Sequence, residues 1–331
     1  MCPPTMVDYK SIMSALKRVN ASGPDMFVVN IGARMTSQGH DEDHAWNLVL
    51  RTFPKRNVST LAIEADAHEF SSLQRRFASP KYKAHANRVQ LLNQRVSSTN
   101  IVRAFTEHGV PRVFHLLKID IDSIELPVVR AIVRGGFRPI LILGEYNQWT
   151  PLPIEFVALE SGQDAKLSPM YGAGFSGFNH HWPCAGASLA SWHRLASELG
   201  YRVLQLDSPP AQANVLLVRK ESGSNFKHWS TDLWCHAGVF YNWSFARLIP
   251  EVTLHRRVNR REIRERASRM PFKLVHGHWE PDAAFDLAPA AEVIAKSCSS
   301  AQTPYQLCIQ EHCCPRNATN SLLCQVNTLA E

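Results

Sequence analysis

The sequence predicts an α/β fold: a mostly parallel sheet closed by an antiparallel hairpin. Three observations carry that expectation. Between residues 25 and 147, five β-rich runs alternate with helix-like segments. Those runs are close to continuously apolar, as strands buried on both faces are. Further on, the runs YRVLQLD (201–207) and ANVLLVRK (213–220) are separated by the short stretch SPPAQ. That is enough for a hairpin and too little for a parallel crossover, which needs about a dozen residues.

Each element has its own justification. DMFVVNIGA (25–33) is a strand that ends in glycine, and DEDHAWNLVLRTF (41–53) reads as the helix after it. VSTLAIEAD (58–66) is the second strand; in the following AHEFSSLQRRFA, Phe70, Leu73 and Phe77 keep helical spacing. RVQLLNQRV (88–96) is the third strand, and STNIVRAFTEHG a short helix stopped by Gly109. VFHLLKIDID (113–122) is the fourth, followed by the helix ELPVVRAIVRGG with Gly135 and Gly136 as its stop. PILILGEYN (139–147) is the fifth, and GASLASWHRLASELG (186–200) the helix before the hairpin. Between these two lies GQDAKLSPMYGAGFSGFNHHWPCAGA, rich in glycine, aromatics and histidine. A connection of that length at a sheet's carboxyl edge is usually a lid or a substrate loop.

Ligands of open α/β sheets bind beyond the carboxyl ends of the strands, so the strand tips supply the candidate residues. At the first tip stand Asn30, Gly32 and Ala33; glycine there either admits a ligand to the backbone or simply ends the strand. At the second tip, Glu64 and then Asp66 are placed to accept from ribose hydroxyls. Asn93 and Gln94 at the third tip offer amides to an adenine edge. The fourth carries three acids, Asp120, Asp122 and Glu125. Strand alternation puts Asp120 and Asp122 on one side. Such a pair either chelates a divalent cation on a nucleotide-sugar diphosphate, the chemistry of a DxD glycosyltransferase, or serves an organic cofactor. Asp122 or Ser123 is also a natural N-cap for the next helix, with Glu125 near its positive end and Pro127 in its first turn.

An open parallel sheet finished by an antiparallel hairpin is the arrangement of Rossmann-like methyltransferases, not of nicotinamide-binding domains. The ordered motifs VVNIGA, LAIEADAHEFSSL, RVQLLNQRV, LLKIDIDSIELPVVRA and LILGEYN resemble those of FkbM-type methyltransferases over residues 25–220. Glu64 matches that family's ribose-binding acid; Asp120, Asp122 and Glu125 match its strand-four acids, and Glu145 its strand-five acid. The resemblance implies S-adenosylmethionine as cofactor and methyl transfer to an oxygen of a small molecule or glycan. The cofactor-binding candidates are then Asn30, Gly32, Ala33, Glu64, Asp66, Asn93, Gln94 and Asp120. Candidate bases are Asp120, Asp122, His180 and His181, with no resident metal. The chain departs from the family at Asn30, where an acid is usual, at Ser123 for glycine, and at Gly144 for a bulkier apolar residue. Those departures leave a non-catalytic, methyltransferase-like binding protein as the alternative, beside the DxD enzyme.

The chain divides by composition into a helical lead-in (1–24), the α/β domain (25–220), an aromatic and Arg-rich extension (221–297) and a Cys-rich tail (298–331). Of the net charge of +7, the segment 255–269 supplies +5. It lacks interleaved aromatics and reads as a solvated face, so nucleic acid is not the expected partner. No run reaches the ~18 apolar residues of a membrane span, and no signal-peptide core is present. A cytoplasmic location is the default expectation. The crowded Cys298, Cys308, Cys313, Cys314 and Cys324, with sequons at Asn20, Asn57, Asn242 and Asn317, keep a secretory compartment open.

Overall fold

A computed structural model describes residues 9–18, 25–33, 49, 52–53, 55–83, 86–121, 123–147, 150, 154–160, 186–206, 214–222, 272–275, 278–281, 305–308 and 326–327. In chain order the elements are α1 (Tyr9–Arg18), β1 (Asp25–Ile31), β2 (Asn57–Glu64), α2 (Ala67–Phe77), α3 (Pro80–Lys83), β3 (Val89–Asn93), α4 (Ile101–Glu107) and β4 (Val113–Ile119). They continue as α5 (Glu125–Arg134), β5 (Arg138–Glu145), β6 (Glu155–Ala158), α6 (Leu189–Glu198), β7 (Tyr201–Leu206) and β8 (Asn214–Arg219). Four short strands close the series: β9 (Phe272–Val275), β10 (His278–Pro281), β11 (Tyr305–Cys308) and β12 (Val326–Asn327).

The main sheet has seven strands in the order β3-β2-β1-β4-β5-β8-β7. β1 to β5 pair in parallel. β8 enters antiparallel to β5, and β7 returns antiparallel to β8. The predicted hairpin is therefore present, and its second strand lies inside the sheet with its first at the edge. The chain runs outward from β1 to β3 and then restarts at β4 on the other side. This makes the β1–β4 boundary the topological switch point.

Consecutive residues of the central strands feed opposite cores. Val28, Ala62, Leu116 and Leu141 pack with Ile12 and Leu16 of α1 and Leu73 and Phe77 of α2. Val29, Leu61, Leu117 and Ile142 pack with Phe105 of α4, Ile132 of α5 and Trp192 of α6. Both faces are thus covered, which is why these strands carry unbroken apolar runs. The caps follow the local sequence. Asp66 Oδ1 accepts from the N–H groups of His68 and Glu69 and starts α2. Gly136, at φ +88°, lets the chain leave α5.

Three expectations change. The fourth strand ends at Ile119, so Asp120 stands just past it, not within it. Ser123 does not cap α5, and Asp122, the other expected cap, lies outside the described residues. Ile124 holds the N-cap position without a side-chain bond, because Glu125 turns back to satisfy the turn's amides instead. β6 has no counterpart in the predicted elements; it leaves the main sheet and joins β11 and β12 in a separate three-stranded sheet. Tyr305–Cys308 of the expected Cys-rich tail pairs antiparallel with Glu155–Ala158. The helix expected at 41–53 lies mostly outside the described residues, though Phe53 N–H bonds Val49 O at 2.9 Å with helical spacing. The Arg-rich segment 255–269 lies outside them too.

Candidate functional site

The registers Ile31↔Ile63 and Ile31↔Ile119 set the tips of β2, β1 and β4 level. One step further, Glu64, Gly32 and Asp120 stand side by side across the switch point. This is the geometric centre of the candidate site.

Gly32, at φ +76°, has a conformation that L side chains avoid. A Cβ here would run into the Asp120 carbonyl oxygen. The close approach that this glycine permits is therefore by the strand-four backbone, not by a ligand alone. The N–H groups of Gly32 and Ala33 both point to Ile63 O, at 3.0 and 3.1 Å, so these donors serve β2. Asn30 is fully buried beneath them.

Glu64 is 8% exposed. Its Oε1 accepts from Asp66 N–H at 2.8 Å. Burial pushes its carboxyl above the ordinary range, and backbone hydrogen bonds from Asp66 and Ala65 only partly offset that. Asp66 is exposed and committed to the α2 cap, which separates the two acids that the sequence left as alternatives. The Asn93 amide donates to Glu64 O at 2.8 Å and to Ala65 O at 3.2 Å, and Gln94 N–H donates to Glu64 O at 3.1 Å. The third tip thus braces the second.

At the fourth tip, Lys118 Nζ lies 3.4 Å from Asp120 Oδ2, with the lysine 12% and the aspartate 39% exposed at the side chain. Lys118 keeps Asp120 on its own side of the sheet. Sequence reading passed over this lysine; a cation inside an apolar strand, two residues before an acid, was the signal. At the fifth tip, Glu145 O accepts from Trp192 Nε1 at 2.9 Å. Beyond β6, Glu160 accepts from Ser98 N–H at 2.6 Å and from its hydroxyl, tying this segment to the loop after β3. Asp122, His180 and His181 lie outside the described residues. Among the described residues no cluster of His, Cys, Asp or Glu is arranged to hold a metal ion, and no helix is long and apolar enough to cross a membrane.

Five parallel strands, a switch point between β1 and β4, and a reversed strand inserted beside β5 define the Rossmann-like methyltransferase fold. No family profile matches the chain, and no curated protein is similar to it in sequence. Among solved structures, a putative S-adenosylmethionine-dependent methyltransferase from Listeria monocytogenes is similar at 8% identity and a TM-score of 0.35, over 64% of this chain and 99% of that one. The trans-methyltransferase CalH, in complex with SAH, is similar at 14% identity and a TM-score of 0.34, over 64% and 58%. The METTL16 MTase domain is similar at 8% identity and a TM-score of 0.33. That match covers 62% of this chain and 63% of the METTL16 structure.

Proposed function

We propose that the chain is an S-adenosylmethionine-dependent methyltransferase of FkbM type, acting on an oxygen of a small molecule or glycan. The observation that supports it most is the level row of Glu64, Gly32 and Asp120 at the switch point of a sheet with this strand order. The residues fit the cofactor's chemistry. Glu64 is a buried carboxyl whose burial raises its proton affinity, and two ribose hydroxyls would add donors to it. Asp120, half-exposed beside Lys118, suits the amino group or a polar substrate. The cofactor supplies an electrophilic methyl group; the protein's task is to aim a nucleophile at it. Asp120, Asp122, His180 and His181 are the groups proposed to take the hydroxyl proton.

Calorimetry with S-adenosylmethionine, followed by UDP-sugars with manganese, tests the reading. Saturable binding of the first is expected; binding of only the second would favour the DxD enzyme instead. Glu64→Ala should weaken S-adenosylmethionine by about 1–3 kcal/mol, the range for losing buried charged hydrogen bonds. Unchanged affinity would mean that the ribose lies elsewhere.

A further inference from the structure

Glu125 begins α5, yet its carboxyl does not face solvent as a first-turn acid ordinarily does. It is 1% exposed. Its Oε1 accepts from Ile121 N–H at 3.0 Å and from Ser123 N–H at 2.9 Å. Both amides belong to the turn that leads from Asp120 into the helix. Backbone contacts hold the same turn elsewhere: Asp120 N–H to Ile31 O at 3.1 Å, Gly186 N–H to Ser123 O at 2.7 Å, and Gly32 against the Asp120 carbonyl. Glu125 adds the clamping side chain. Its Oε2 is buried and has no hydrogen-bond partner among the described residues. Gly186 lines that oxygen, since a Cβ there would sit 3.6 Å from it.

Burying a carboxyl this completely is costly unless it is hydrogen-bonded, and Glu125 makes its side-chain bonds through Oε1. These bonds go to the turn beside the switch point. We propose that Glu125 is a positioning residue of the candidate site. It holds the 120–123 turn, and with it the Asp120 carboxylate, in the shape that receives the cofactor's cationic portion. The role rests on the methyltransferase reading and adds to it a residue that touches no ligand. Burial raises the Glu125 carboxyl to about 7, the turn's amides pull it back, and the Asp120 charge adds to the rise. Lys118 lies 3.4 Å from the Asp120 carboxylate. Gly186, which lines Oε2, and Asn147 beside Gly186 bring no charge. Ionisation strengthens the bonds to the two amides and adds negative charge near the bound cation, so affinity should rise as pH passes through about 7.

The test is calorimetry of the whole 331-residue chain with S-adenosylmethionine between about pH 6 and about pH 8, for wild type, Glu125→Gln and Glu125→Ala. Amide exchange at Ile121 and Ser123 is followed in parallel. Glu125→Ala should bind roughly 10–100-fold more weakly and exchange faster at both amides. Glu125→Gln keeps an acceptor for the turn and should recover most of the affinity while losing the pH step. The role is overturned if folded Glu125→Ala binds like wild type, or if Glu125→Gln keeps the wild-type pH profile. The second comparison decides the matter even if the alanine variant does not fold. Wild type that takes up no S-adenosylmethionine refutes the methyltransferase reading itself, before any variant is compared, and this role with it.

Discussion

Before the fifth-tip acid stands Gly144, and an indole fills the space that its missing side chain leaves. A Cβ at 144 would lie 2.5 Å from Trp192 Cη2 and 2.7 Å from Cζ2. Trp192 is fully buried, and its Nε1–H bonds Glu145 O at 2.9 Å. The small residue at 144 is thus matched by a large one on α6, which also bonds the β5 tip. Gly144→Val should displace the indole and destabilise the protein by about 1–3 kcal/mol, the cost of overpacking a core. Urea denaturation measures it, and an unchanged midpoint would show that the ring has room to move. Gly32 belongs to the same kind of explanation, since its missing Cβ is filled by the Asp120 carbonyl. Both glycines were visible in the sequence, Gly32 as a strand-tip glycine and Gly144 as a small residue before an acid. Their partners, 88 and 48 positions away in the chain, were not.

Among the elements, α2 separates two acids that sequence spacing could not. Glu64 closes β2 and is buried, whereas Asp66, two residues on, caps the helix. Asp66→Ala should cost about 1 kcal/mol of stability, the usual price of a lost N-cap, and leave S-adenosylmethionine affinity close to wild type. Glu64→Ala should do the reverse. Thermal melts and calorimetry on the two variants check the division of labour; a binding loss in Asp66→Ala would reassign it to the site. The start of α5 shows how such an inference goes astray. Ser123 is of a type suited to a cap, but Ile124 holds that position and the carboxyl of Glu125 bonds the turn's amides. Local propensity names the residue types suited to a cap, and packing decides whether any of them is used.

In the molecule as a whole, buried ionisable groups give opposing pH dependences of stability. His115 on β4 accepts Phe27 N–H at 3.2 Å through Nδ1, and burial, with Arg56 nearby, lowers its proton affinity from 6.5. The unfolded chain binds that proton more readily, so this contribution is present above pH 6.5 and is lost as pH falls through the depressed folded value. Glu125 has the opposite sign: its contribution is present below 4.5 and is lost as pH rises through about 7. His115→Gln should therefore flatten the acid side of the stability profile while leaving the Glu125 step in place. Denaturant midpoints collected across that range, for wild type and variant, would show it. Identical profiles would mean that His115 titrates alike in both states.

The sequence by itself determined the class of fold, the strand-forming runs of the main sheet along the chain and the hairpin that closes it. These follow from apolar runs, helical spacing and linker length, all of which are local along the chain. It also brought Glu64 and Asp120 forward, because strand tips are where acids interrupt an apolar run. Only the tertiary structure decided that these two stand level with Gly32, that Lys118 faces Asp120, that Trp192 fills the space above Gly144, and that β11 pairs with β6. Each of these depends on register or on burial between segments far apart in the chain. Such relations are set by how the faces of the sheet pack, and no local pattern of residue types encodes them.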